Sequence, residues 1–238
     1  MVIKKKDLFL LQIIEKLTVV TSTNLTILAG YHNVSVVRKR LRALISNGYV
    51  SEHYWFGKEK LYSLTYKGLT ELGIRRKPYE IKGYSTEHFY EVSAAAAWLY
   101  SKTETGIFDM AFDRDIKKAE IDGKYKINHY PDLIFSHKAI EVELNAKKFE
   151  RLKENFAENA KNFDSQIWIL PEHLSRLNDH LRMLAEKHHT KLYLLSLEKM
   201  HDQILSFDLT NNSPRAIPIR NIEPSPITKK QRRVMLDD

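Results

Sequence analysis

The stretch that decides the fold is "NHYPDLIFSHKAIEVELNAKKFERLKENF", Asn128–Phe156. Two strings within it, "HYPDLIF" and "AIEVEL", have the apolar content of core β-strands, and Ser136-His137-Lys138 joins them as a tight three-residue hairpin. Yet these strings carry Asp132, Glu141 and Glu143. Strand interiors favour apolar and β-branched residues, and an ionised carboxylate is costly to bury unpaired. Side chains alternate along a strand, so Ile140, Val142 and Leu144 face the core while Glu141, Glu143 and Asn145 share the opposite face. Asp132 opens the preceding strand just after Pro131, and pairing of the two strands brings it toward Glu141 and Glu143. Clustered carboxylates repel one another unless a cation neutralises them, and two or three of them with water suit Mg²⁺ or Mn²⁺. The competing reading is an exposed sheet face whose acids are simply solvated.

Outward from this hairpin the pattern is regular. "TEHFYEVSAAAAWLYSKT" predicts a helix from Thr86 to about Lys102, capped by Thr86, with an alanine run suited to close packing. "GIFDMAF" reads as a strand, and the polar "RDIKKAEIDGKYKI" turns at Asp122-Gly123. After the hairpin come a helix with Phe149, Leu152 and Phe156 on one side, the strand "SQIWIL", the helix "PEHLSRLNDHLRMLAEKHH" and the strand "KLYLLSL". The order α-β-β-β-α-β-α-β predicts a mixed sheet with helices on its faces.

The first third differs in charge. The chain has 238 residues and a net charge of +8; residues 1–80 hold 14 Lys/Arg against 6 Asp/Glu, so the whole excess lies there and the remainder is neutral. A basic module joined to a neutral one points to a polyanion as partner, most often nucleic acid. "KKKDLFLLQIIEKL" has helical spacing; "TSTNLTILAG" reads as a short helix capped by Thr23 or Asn24 and ended at Gly30. In "YHNVSVVRKRLRALISNGYV" Val34, Val37, Leu41, Leu44 and Ile45 share one helix face while Arg38, Lys39 and Arg42 project elsewhere. "YVSEHYWFGKEKLYSLTYKG" reads as two strands joined at Phe56-Gly57-Lys58-Glu59. Helix, helix, basic helix and hairpin resembles a winged helix-turn-helix domain, in which the third helix enters the major groove and the hairpin touches backbone. That resemblance makes Arg38, Lys39, Arg40 and Arg42 candidate DNA contacts, with Lys58 and Lys60 on the wing. A polar stretch broken by Pro78 and Gly83 follows as a linker.

Pro131-Asp132 followed by Glu141-Val142-Glu143, set in helix, three strands, helix and strand, resembles the PD-(D/E)xK nuclease superfamily. The resemblance implies that Asp132 and Glu141 hold a metal, with Glu143 beside them. The last motif position is usually a lysine that orients or deprotonates the attacking water; here it is Glu143, which leaves the base open. Lys147 is the nearest substitute, ahead of Lys148, and an acidic residue of the first helix, Glu87 or Glu91, often joins such a site, with His88 nearby. A winged helix ahead of such a core is similar to the plasmid replication-relaxation family and to mobilisation relaxases of the MobC type. The likeness implies nicking of double-stranded DNA at a plasmid origin, beside other mobilisation or replication proteins. The alternative is a non-catalytic DNA-binding regulator, or replication accessory protein, with a degenerate nuclease fold.

Other chemistries lack their residues. There is no cysteine, hence no disulfide, thiol nucleophile or cysteine-bound zinc. No phosphate-binding GxxxxGK[ST] loop and no hydrolase elbow occurs. His188 and His189 are adjacent, so they diverge on a helix and read as its end. Tyr130 reads as packing. No apolar run approaches the ~20 residues of a membrane span, and the N-terminal apolar stretch is broken by Gln12 and Glu15, so the expectation is a cytoplasmic protein. The final stretch is Pro-rich, with a basic cluster at Lys229, Lys230, Arg232 and Arg233. The expected organisation is α+β: a winged helix-turn-helix over 1–77, a linker over 78–85, a restriction-endonuclease-like α/β core with a mixed sheet over 86–205, and a basic tail over 206–238.

Overall fold

The structure, a computed structural model, describes residues 2–55, 59–103, 106–121, 129–145 and 149–211. The fold is α+β, with an N-terminal helix-strand-helix segment and a separate mixed sheet. The chain forms two compact units. Of the described residues, those up to 107 and from 201 onward form the first, and those between 108 and 200 the second.

The first unit opens with α1 (Lys5–Leu17), whose Leu10, Leu11, Ile13, Ile14 and Leu17 are buried. After β1 (Val20–Thr21) comes α2 (Ser22–Leu28). Its cap is Thr21, whose hydroxyl accepts from Asn24 N at 3.1 Å, rather than Thr23 or Asn24; the helix starts earlier because β1 delivers the chain in extended conformation at Thr21. Gly30 and Gly48 end α2 and α3 (Val34–Ser46) with φ of 67° and 75°, the left-handed turn that glycine takes without a Cβ clash. Asn33 caps α3 by accepting from Ser35 N at 2.8 Å, and Val37, Leu41 and Leu44 form its buried stripe. β2 (Val50–Trp55) and β3 (Glu59–Leu64) pair antiparallel, and β1 joins the far side of β3, giving the order β1-β3-β2. The joint at residues 56–58, Lys58 included, lies outside the described residues.

Next come the short α4 (Tyr66–Glu71) and α5 (Gly83–Lys102). α5 begins three residues before the expected Thr86, at Gly83; the buried Thr86 hydroxyl reaches back to accept from Lys82 N at 2.8 Å. Ala94–Ala97 are all fully buried, and Asn24 Nδ2 donates to Ser93 Oγ at 3.2 Å, tying α2 to α5. The helix expected to open the second domain thus packs with the first unit.

In the second unit β4 (Ala111–Phe112), β5 (Leu133–Phe135), β6 (Lys138–Val142), β7 (Ser165–Leu170) and β8 (Lys191–Ser196) form a sheet in that spatial order. β4-β5-β6 is antiparallel and β6-β7-β8 parallel. α6 (Asp113–Ile121), a helix where a polar loop was expected, separates β4 from β5. α7 (Phe149–Asn162) and α8 (Leu177–Lys187) are the crossovers after β6 and β7. Leu152 and Phe156 of α7 meet Trp168 and Leu170 of β7 and Leu181 and Leu184 of α8 in one core. Phe149, expected in that stripe, is 40% exposed. The β5–β6 turn has two residues, not three: Ser136 and His137 both have positive φ, 45° and 61°, as the tightest hairpins require. His188 and His189 end α8 as expected. The chain returns to the first unit within α9 (Leu197–Leu205), where Trp98 Nε1 donates to Gln203 Oε1 at 2.8 Å. Among the described residues no helix is long and apolar enough to cross a membrane.

A Cβ at Gly68 would lie 2.2 Å from the carbonyl oxygen of Tyr49, a backbone atom that cannot swing aside. Gly68→Ala in a helix ordinarily gains stability; here it is expected to cost about 1–3 kcal/mol of overpacking, read as a lower denaturation midpoint. An unchanged or raised midpoint would contradict the close approach of α4 to Tyr49.

Candidate functional site

The hairpin register sets the site. Leu133 pairs with Ile140 and Ile134 with Ala139, so the next step along both strands puts Asp132 opposite Glu141 on one face of the sheet. Glu141 is in register with Trp168 across the parallel β6–β7 pair, which places it on the α7 face. Glu143 follows on the same face by alternation, and the ladder reaches it, since Glu143 N donates to Ile169 O at 3.0 Å. β6 is the central strand, so neither carboxylate reaches bulk water: Glu141 is 2% and Glu143 1% exposed. The register sets Asp132 opposite Glu141, and the solvated-face reading does not hold for Glu141 and Glu143, which are buried.

Each acid has structural partners. Half-buried Asp132 accepts, through Oδ2, the Val142 N–H at 2.8 Å, serving the donor beyond the end of β5. Glu141 Oε1 accepts from Asn159 Nδ2 at 2.7 Å and lies 2.6 Å from His129 Nε2. Burial pushes the Glu141 carboxyl above its ordinary pKa; the His129 hydrogen bond opposes that rise and the Asp132 charge adds to it. Asn159 is fully buried on α7, and its Oδ1 has no hydrogen-bond partner among the described residues. Asn155, one turn earlier, is buried as well. The inward side of α7 therefore combines apolar Leu152 and Phe156 with two amides.

His129 and Asn159 were not singled out from the sequence. Asn155 and Asn159 at helical i, i+4 spacing, flanking Phe156, were the available signal; His129 adjoins the Pro131-Asp132 pair. The remaining expected members lie elsewhere. Lys147 and Lys148 fall outside the described residues. Glu87 and Glu91 stand on α5 in the first unit, where Glu91 Oε2 is 2.8 Å from His201 Nε2. Among the described residues no group of three or more His, Asp or Glu side chains is arranged to hold a metal ion.

The donor chemistry can be tested against Mg²⁺ or Mn²⁺. Mg²⁺ is commonly held by one or two carboxylates with water and substrate phosphate making up the rest. Asp132 and Glu141 are two carboxylates on adjacent strands, and it is burial that raises the Glu141 pKa. Two carboxylates match in number and type what such an ion takes from a protein; the cage of three acids does not appear among the described residues.

On α3, Lys39 and Arg42 are exposed and make no ion pair or hydrogen bond among the described residues. Arg38 is exposed, with its Nε donating to Ser22 Oγ at 3.1 Å. Arg40 points inward, paired at 2.6 Å with buried Asp7 of α1. Lys60 pairs with Glu52 at 2.8 Å and lies over the Tyr54 ring. The six expected basic contacts therefore divide: Arg38, Lys39 and Arg42 are presented outward, Arg40 is structural, Lys60 is engaged on its own hairpin, and Lys58 is outside the described residues.

No family model, curated protein or solved structure matches this chain.

A carboxyl whose pKa is higher in the folded state than in the unfolded one holds its proton more tightly when folded. Folding stability from that group is therefore full below the unfolded pKa and falls as pH rises through the folded value. In chelator-treated buffer, Glu141→Gln, which keeps an acceptor for Asn159, is expected to flatten that part of the fall above the ordinary carboxylate range. Urea midpoints measured against pH for both chains check it; parallel curves would contradict an elevated Glu141.

Proposed function

We propose that the chain is a metal-dependent DNA-processing enzyme, a relaxase-like nickase of plasmid mobilisation or replication acting on double-stranded DNA. The observation that carries this reading is the pair Asp132 and Glu141, set opposite each other on adjacent strands in the sheet interior with Glu143 next along the same face. The element order supports it: α1-β1-α2-α3-β2-β3 resembles that of a winged helix, and the run β5-β6-α7-β7 of the second unit resembles part of a restriction-endonuclease-like core.

In this reading Asp132 and Glu141 are the ligands for Mg²⁺ or Mn²⁺. The chemistry supplied by such an ion is polarisation of the scissile phosphate and acidification of a bound water. Glu143, next along the same face, would orient the attacking water, and His129 lies against Glu141 at 2.6 Å, within reach of the same carboxylate. Asn159 fixes Glu141 from the helix side, so the carboxylate is held before any ligand arrives. Lys39, Arg42 and Arg38 meet the phosphate backbone.

A second reading has its own support. Glu141 Oε1 is already engaged by Asn159 and His129, and no three-residue metal cluster occurs among the described residues. That arrangement suits a DNA-binding protein that keeps a nuclease-like scaffold without its chemistry.

Supercoiled plasmid carrying a transfer origin, incubated with protein and Mn²⁺, is expected to become open circular. Asp132→Ala and Glu141→Ala should each cut the rate by about 100-fold or more while leaving DNA affinity intact. Mn²⁺ should raise the melting temperature of the wild-type chain and not of either variant. Absence of both nicking and a Mn²⁺ shift, with DNA binding retained, selects the second reading.

The basic residues of α3 separate in a different assay. Arg42→Ala is expected to weaken duplex binding and lower the salt slope by about 1. Arg40→Ala is expected to cost about 2 kcal/mol of folding stability by stranding Asp7. Salt-dependent binding isotherms and denaturation curves check the pair; the reverse pattern would contradict the division of roles.

A further inference from the structure

β8 is the edge strand of the five-stranded sheet, and among the described residues nothing pairs with its outer side. Edge strands are usually blunted by charge, proline or a bulge, because a row of open N–H and C=O groups is a template for another strand. β8 has little such protection: Lys191 opens it, and "LYLLS" follows. Leu192 and Leu194 lie on the α8 face, only partly buried, and Tyr193 on the other face is 52% exposed. Between β8 and α8 runs an open groove lined by Leu192, Leu194, Ala185, Arg182 and Glu186.

The two charges carry the argument. Arg182 and Glu186 are one helical turn apart and both exposed, yet they pair neither with each other nor with any other described residue. One positive and one negative charge, flanking an apolar strip beside an open strand edge, form a surface complementary to itself under a two-fold rotation.

We propose that this edge and groove bind a second copy of this chain, with the two-fold axis passing near Tyr193. An antiparallel pairing about that point sets Leu192 of one copy opposite Leu194 of the other and extends the sheet across the interface. The two α8 helices then run antiparallel on either side of the axis. Arg182 of each copy comes alongside Glu186 of the other, giving two equivalent ion pairs at the rim of an apolar strip. The proposal stands whether or not the Asp132–Glu141 site is catalytic.

Sedimentation of the full chain over the micromolar range tests it. The wild-type chain is expected to show a concentration-dependent monomer–dimer equilibrium. Arg182→Glu and Glu186→Arg each place like charges at both contacts and should raise the dimer Kd about tenfold. The double exchange R182E/E186R should restore it, and an equimolar mixture of the two single variants should form a mixed dimer tighter than either variant alone. Thermal melts at concentrations where all the chains are monomeric should match the wild type, since both side chains are exposed. A wild-type chain that stays monomeric leaves the edge to some other partner or to none, and overturns the proposal. So does a dimer whose Kd ignores the charge exchanges, or an assembly larger than two.

Discussion

A carboxylate on the middle strand of a sheet with a helix packed over it has to be held by something. Glu141 is held by His129 and by Asn159 against the repulsion of the Asp132 charge, and the surrounding elements are arranged to supply those neighbours. The two-residue hairpin fixes the register that sets Asp132 across from it. The parallel β6–β7 pairing and the α7 crossover bring Asn159 down onto it, and the Phe156–Trp168 core beside it keeps α7 in place. A slip of one residue in the β5–β6 pairing would send the whole set to the opposite face. The site is in this sense a property of the register.

The first unit works under a different constraint. Its surplus of positive charge is not spread evenly over its surface. Arg40 is drawn inward by Asp7, which also accepts from Lys4 N at the start of α1, so one buried acid ties a helix start to the middle of α3. Because Arg40 is anchored, α3 is oriented with Lys39 and Arg42 outward. Those two side chains have no competing partners among the described residues.

Much of this was legible in the sequence because periodicity is a strong signal. The alternation in "AIEVEL", the 3.6-residue stripe of α3 and the glycines at 30 and 48 each fix local structure through sterics that leave few options. The acids of β5 and β6 stood out because they break a pattern. What was missed follows from tertiary context. α6 has few apolar residues and reads as loop until Ile116 is seen buried against Ile134, Ala139 and Phe163. The hairpin turn used Ser136 and His137 in positive-φ conformations that non-glycine residues adopt only when flanking strands demand it. In the sequence Asn159 is one polar residue among many in a helix string, and only the fold buries it against Glu141. Arg40 looked like its neighbours Arg38 and Lys39 until Asp7, remote in sequence, claimed it.

The central claim is that the Asp132–Glu141 pair receives a divalent cation. Anomalous diffraction from a crystal soaked in Mn²⁺ tests it most directly. The account predicts an anomalous peak bonded to oxygens of both Asp132 and Glu141. A structure at full Mn²⁺ exposure with no peak there, and Glu141 still bonded only to His129 and Asn159, would contradict it.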